Sequence, residues 1–358
     1  MSDWDRRENN FDFMRLSLAV LVIYSHAFAL GTGSEVAEPL LRWTRGQVSG
    51  GAVAVDAFFV MSGFLIAASA ERSRGVGSFL KKRVARIYPA FVVAAALTAL
   101  VVLPLSGGGF AYDGWFARAG DFLWRTLWLT EFSYRGVFAQ NPMPGVINGS
   151  TWSIPYEFWC YIGVAALLVT GMLRRRSFVL ALFVAAWVLS ILFRVRGWIL
   201  GGKELGLIFG PPQIWARMWP LYLAGVVFYL YRERIPVRGW LAAAAVVCMV
   251  AASMFYSGWT VFFPLAGTYV LFWFAFTPKV RLHRFGRFGD FSYGTYLYAF
   301  PIEQVVVKGF GHAIAPWLLF VCATPITLLI AVASWYGVER HWLAPARRKE
   351  TVAHAVAG

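Results

Sequence analysis

The sequence predicts an all-α polytopic membrane protein with about ten transmembrane helices and both termini in the cytosol. Three observations carry that expectation. Hydrophobic residues fill 59% of the 358 positions and charged residues only 14%, a composition that would aggregate in water but suits a bilayer. Ten apolar segments, each about 16 to 25 residues long, match the thickness of the hydrocarbon core. The basic residues fall in short clusters between these segments and favour alternate sides.

The segments run over 13–31, 52–70, 84–104, 156–173, 177–194, 214–231, 239–256, 259–277, 290–309 and 314–337. The first is longer than the apolar core of a typical secretory signal and lacks a convincing small-residue cleavage site, so it is expected to stay in the mature protein. With the N-terminus inside, 22 of the 33 Lys and Arg residues fall on the cytosolic side and 9 outside, and Arg15 and Arg217 lie within segments. The formal charge of +15 thus reads as topology rather than as a nucleic-acid footprint, because no one face collects it. Cys160, Cys248 and Cys322 all lie in apolar runs, where they act as small hydrophobes and offer no disulfide framework. One membrane domain is expected over 1–340, followed by a short basic cytosolic tail, 341–358. The longest connection, 105–155, is placed outside. Its Trp115, Trp124, Trp128 and Trp152, among scattered charges such as Asp113, Asp121 and Glu131, argue for an ordered loop with a function.

Ionisable groups inside apolar segments cost free energy and tend to persist where something uses them. The stretch FDFMRLSLAVLVIYSHAF, residues 11–28, holds two of them. Eleven residues at 100° each end about 20° past three whole turns, so Arg15 and His26 share one helix face, about 16.5 Å apart along the axis. Arg15 then lies near the cytosolic border and His26 past half-depth, where both can line one cavity. The plainer alternatives are a hydrogen-bonded packing histidine and a snorkelling arginine. The second segment opens GGAVAVDAFFVMSGFLIA. If it is the antiparallel neighbour of the first, Asp56 reaches the depth of His26 and can accept the imidazole N–H, fixing its tautomer and raising its basicity, as a general base needs. Otherwise Asp56 caps or snorkels at the helix start.

Before the third segment, GSFLKKRVARIYPAF sets Arg83 and Arg86 on one helix face beside Lys81 and Lys82. A helix starting on the cytosolic side aims its free N–H groups there, which with these cations makes a phosphate site. Positive-inside anchoring explains the same charges. Ahead of the fourth segment, NGSTWSIPYEFWCY puts Glu157 in a first helical turn if Pro155 is the first helical residue. It also places a carboxylate beside Trp152 and Tyr156, a combination suited to a sugar. The ninth segment, GDFSYGTYLYAFPIEQ, offers tyrosine hydroxyls and Glu303 to a cavity, or else simple interfacial anchoring.

These residues together resemble the acyltransferase-three family of polytopic membrane enzymes, which O-acylate sugars of lipopolysaccharide, exopolysaccharide and nodulation factors. NNFDFMRLSLAVLVIYSHAF looks like its first helix, with Arg15 and His26 at the family's arginine and histidine. VDAFFVMSGFLI is similar to its second motif, RVARIYP to its arginine pair, TWSIPYEFWCY to its Trp-Ser and glutamate element, and FSYGTYLYAFP to its Ser-Tyr motif. The matched segments run in order from residue 9 to 301. Many members carry a histidine two residues before the last proline, where this chain has Ala299. Some also bear a C-terminal hydrolase-like domain; without one, the transfer is expected to finish within the membrane domain.

The resemblance implies a multi-pass enzyme of the bacterial inner membrane that moves an acyl group, acetyl in the first instance, from cytosolic acyl-CoA to a saccharide hydroxyl. It calls for no metal and no nucleic acid. On this reading Arg15, Arg83 and Arg86 hold the phosphates of the donor, Trp152 and Glu157 meet the acceptor, and His26 removes the hydroxyl proton with Asp56 steadying the imidazolium. An acyl-histidine route is an equal alternative. The competing class is a transporter or flippase for a saccharide or lipid-linked glycan, since buried Arg, His and Asp also suit a proton-coupled carrier. The chain lacks paired halves with matching broken segments, which weighs against that class.

Overall fold

The computed structural model describes residues 9–107, 120, 124–126, 129, 132–133, 136–198 and 210–343. Arg6, Arg7, Trp115, Trp128, Asp113, Asp121 and Glu131 lie outside the described residues, as do positions 344–358 of the expected tail.

All ten apolar segments are helical. They are α1 (Phe11–Thr32), α2 (Gly50–Glu71), α3 (Val76–Gly107), α4 (Ser153–Val169), α5 (Arg176–Arg196), α6 (Pro212–Tyr231), α7 (Gly239–Ala252), α8 (Gly258–Phe276), α9 (Ser292–Gly309) and α10 (Pro316–Leu343). Among the described residues, α1, α2, α3, α5, α8 and α10 are long and apolar enough to cross a membrane by length and composition, while α4 and α7 are apolar but shorter. The molecule is therefore an all-α polytopic membrane protein. Strands are limited, among the described residues, to an antiparallel pair, Phe132–Ser133 with Val146–Asn148.

Local chemistry sets the ends. Ser49 caps α2 by accepting the Ala52 N–H, proline opens α6 and α10, and Gly197 closes α5 at φ 61°. The third helix starts at Val76, eight residues before the apolar segment, because Lys81, Lys82 and Arg83 are good helix formers and extend it. Among the described residues, three helices contain a π-helical turn, at Thr98–Val102, Phe263–Gly267 and Trp335–Glu339.

By its contacts the chain divides into two compact units. The first comprises Met1–Leu18, Glu38–Phe79 and Tyr156–Arg287. Here α2 lies against α6 at two glycines: a Cβ on Gly63 would overlap the Tyr222 carbonyl, and one on Gly225 the Val60 carbonyl. Close approach at small residues is how helices associate where lipid removes the hydrophobic incentive. Beside this contact Phe64 packs against Phe272 with ring centroids 4.7 Å apart, and Phe11 meets Phe276 edge-on at 5.4 Å. Asn10 fastens the start of α1 by donating to the carbonyls of Phe274 (2.8 Å) and Val280 (3.1 Å).

The second unit comprises Ala19–Ala37, Leu80–Pro155 and Phe288–Gly358. Its apolar core gathers Ala27, Leu30, Phe300, Val307, Leu319 and Ala323 from α1, α9 and α10. The segment ahead of α4 is fastened to α9 by amides: Asn141 Nδ2 donates to Gln304 Oε1 (2.8 Å), and Gln304 Nε2 donates to the carbonyls of Met143 (2.9 Å) and Val146 (2.8 Å). Pro301 explains a further contact. Lacking an N–H, it leaves the Leu297 carbonyl one turn earlier without its helical donor, and Asn148 Nδ2 supplies one at 2.9 Å.

Candidate active site

In the second unit, α1 and α9 bring together an imidazole and a carboxylate. His26 Nδ1 lies 3.9 Å from Glu303 Oε2, with the His26 side chain 19% exposed and that of Glu303 fully buried. Neither Glu303 oxygen nor His26 Nδ1 has a hydrogen-bond partner among the described residues. The Phe300 ring stands edge-on to the imidazole at 5.2 Å, and Gly149 lies so close to that ring that a Cβ there would come within 2.6 Å of it. A carboxylate shut away from water without hydrogen bonds is expensive. The arrangement suits an imidazole whose Nδ1–H is directed at a carboxylate, leaving Nε2 free for proton transfer.

A second polar cluster in the same unit surrounds Arg86. Its Nη2 donates to Asp290 Oδ2 at 2.7 Å, and its Nη1 lies 3.8 Å from Glu339 Oε2. Ser292 donates to Asp290 Oδ1 (2.5 Å), and Ser334 donates to Glu339 Oε1 (3.2 Å). The π turn at Trp335–Glu339 is what turns Glu339 inward, where it is 2% exposed. Because α3 begins at Val76, the free N–H groups of its first turn lie about 7 to 11 Å along the axis before Arg83. The two arginines thus act from the helix side rather than at its end.

In the first unit, Asp56 is buried within α2 rather than capping it. Arg217 of α6 donates to Asp56 Oδ1 through Nε (3.1 Å) and Nη2 (2.7 Å), and Trp259 Nε1 donates to Oδ2 (3.2 Å). By depth alone Asp56 was expected to face His26; in the structure the carboxylate within 4 Å of His26 is that of Glu303. Glu157 falls beyond the first turn of α4, because that helix starts at Ser153 rather than Pro155. Its Oε1 accepts the hydroxyls of Ser62 (2.8 Å) and Tyr161 (2.5 Å). Arg15 donates to Asp12 Oδ1 at 3.2 Å, one turn back on α1. Trp152, half-buried, immediately precedes α4.

Several partners were not expected from the sequence, among them Arg217, Trp259, Asp290 and Glu339. Arg217 registered only as a cation left over inside a segment, and that was the usable signal, because an intramembrane Arg calls for a carboxylate at its own depth. Asp290 carried no signal beyond its place before α9.

A family model described as an acyltransferase domain matches residues 8–336. The chain is 28% identical to a protein of Shigella phage Sf6 named O-acetyl transferase, over 94% of this chain and 96% of that protein. It is 26% identical to nodulation protein 10 of Rhizobium leguminosarum bv. viciae, over 93% and 92% of the two chains. Against a putative membrane-bound transacylase of Komagataeibacter xylinus the identity is 25%, over 82% and 77%. No solved structure matches.

Proposed function

The chain belongs to the acyltransferase family whose domain spans residues 8–336, and from that premise we propose that it transfers an acyl group, acetyl in the first instance, from cytosolic acyl-CoA to a saccharide hydroxyl at the bacterial inner membrane. The observation that supports this most is the His26–Glu303 pair, 3.9 Å apart and without other hydrogen bonds at the facing atoms.

His26 Nε2 takes the proton of the sugar hydroxyl as its oxygen attacks the thioester carbonyl carbon. The C–S bond then breaks, and the departing CoA thiolate recovers that proton from the imidazolium. Glu303 stabilises the imidazolium through Nδ1, and the 3.9 Å gap closes when substrate orders the pair, since catalytic hydrogen bonds are commonly long before substrate binds. Base assistance of this kind contributes about 10² to 10⁴ in rate, and alignment of the two reactants adds to it.

Arg83 meets the phosphates of the donor from the cytosolic side, and Arg15, which Asp12 already engages, keeps only the lesser claim of a second cation on that side. Arg86 has the weaker claim on a phosphate, because Asp290 and Glu339 already offset its charge; its role is to hold α3, α9 and α10 in place around the site. Asp56, engaged by Arg217, supports the acceptor side. The acceptor approaches Trp152 and Glu157, whose Oε1 already accepts two protein hydroxyls, so Oε2 is the oxygen that accepts a sugar hydroxyl.

The test is direct. Purified protein incubated with acetyl-CoA and a cell-surface glycan fraction should release free CoA and raise the glycan mass by one acyl group. Saccharide movement across vesicles with no CoA release would instead make the protein a carrier.

A further inference from the structure

The first unit holds a cavity of about 400 Å³ beside the Asp56–Arg217 pair. It is walled by α2, α5, α6 and α8. Its lining combines aromatic rings, those of Trp198, Tyr256 and Trp259, with the polar groups of Gln213, Arg217 and Arg194. Rings that take the C–H face of a pyranose, together with groups that hydrogen-bond its hydroxyls, make a saccharide site. The Gln213 Oε1 atom is buried with no hydrogen-bond partner among the described residues, so it is an acceptor in want of a donor. One wall carries the π turn at Phe263–Gly267, and its approach contains Ser257 at φ 62°, two irregularities that proteins concentrate at sites of function.

The charges narrow the ligand further. Asp56 is the lining carboxylate, and both its oxygens are taken by Arg217 and Trp259. Arg217 uses Nε and Nη2 for that pair while its side chain stays 41% exposed, which leaves Nη1 available. Arg194 lies over the Tyr256 ring at 5.8 Å and has no carboxylate partner among the described residues. Among the described residues the lining therefore carries one positive charge in excess.

We infer that this cavity binds a sugar unit bearing an anionic group, either a carboxylate or a phosphate, and that this unit belongs to the acceptor. Only its role as acceptor rests on the acyl transfer proposed above; the binding site stands on its own lining. Arg194 and the free edge of Arg217 take the anion, the Gln213 carbonyl takes a hydroxyl, and Trp259 and Trp198 take the apolar face.

The test is calorimetric titration of the purified full-length chain in detergent with trigalacturonate, glucose 1-phosphate, maltotriose and dioctanoyl phosphatidic acid. Saturable binding of trigalacturonate or of glucose 1-phosphate is expected, and whichever binds tighter identifies the anion as carboxylate or phosphate. Arg194→Gln should weaken that binding by about tenfold or more, the loss of one charge-assisted contact. Thr260→Phe, which fills the cavity from α8, should abolish it. Equal affinity for maltotriose, binding of phosphatidic acid alone, heat unchanged in both variants, or no binding of either anionic sugar would each overturn the inference. No acyl donor is present in this assay, so its failure leaves CoA release untouched, and absent CoA release leaves the binding result standing.

Discussion

His26 Nδ1 and Glu303 Oε2 face each other across 3.9 Å with no competing hydrogen bond to either atom among the described residues. An imidazole packed for its own sake would have its ring nitrogens satisfied by neighbours. His26→Ala should therefore remove transfer, by about 10² to 10⁴ or more in rate, while the purified variant still elutes as a folded monodisperse species and binds acetyl-CoA. Retained transfer in that variant eliminates the base.

Glu303→Gln separates charge from shape. The amide keeps the volume but cannot stabilise an imidazolium electrostatically, so kcat should fall by about 10- to 100-fold, within the range of general-base contributions. The KM for acetyl-CoA should change little, because Glu303 is fully buried and assigned no donor contact. A drop confined to KM would move Glu303 from the reaction centre to a packing role.

The arginines of α3 should behave differently from each other. Arg83→Ala should raise the KM for acyl-CoA, with a deficit that shrinks as salt rises, because screening removes the same attraction from the parent protein. Arg86→Ala should instead lower thermal stability, since it strands Asp290 and Glu339, and removing one partner of a buried ion pair is worth about 3 to 5 kcal/mol. Arg86→Lys should recover part of that loss. Identical KM effects from both alanine variants would restore Arg86 to the donor site.

The helices were legible because length and apolarity are local properties. Helix ends were less so: the apolar segment opens at 84, which would set the free N–H groups of the helix start beside Arg83, yet the helix propensity of Lys81, Lys82 and Arg83 carries α3 back to Val76. The partner of His26 was harder still. Depth is a single coordinate, and it qualifies any carboxylate at the right level; whether α2 or α9 supplies it depends on lateral packing that periodicity does not encode. Asp56 and Glu303 were both visible as buried acids. What distinguished them was Arg217, an unassigned cation on α6 that claims Asp56 at 2.7 Å.

That claim has its own consequence. Asp56→Asn should lower thermal stability, because it strips the counter-charge from Arg217. The loss should fall below the roughly 3 to 5 kcal/mol of a fully buried pair, since the guanidinium is 41% exposed and water compensates part of it. Asp56→Asn combined with Arg217→Gln should be less destabilised than the two single losses added together, a coupling that a double-mutant cycle in thermal unfolding reads directly. Additive losses would mean that the pair is only a geometric coincidence.

Gly63 and Gly225 test the packing that holds the acidic face of α2 against α6. A Cβ at either position runs into backbone carbonyl oxygen on the opposite helix, at Tyr222 or Val60, and backbone cannot rotate away as a side chain would. Gly63→Ala and Gly225→Ala should thus each lower stability by about 1 to 3 kcal/mol, the usual penalty for overpacking. Gly163 on α4 is the internal control. It is also a helical glycine, but a Cβ there meets nothing within 4 Å, so Gly163→Ala should stabilise by about 0.5 to 1 kcal/mol through reduced backbone entropy alone. Equal responses at all three positions in thermal unfolding would show that α2 and α6 do not meet at their glycines.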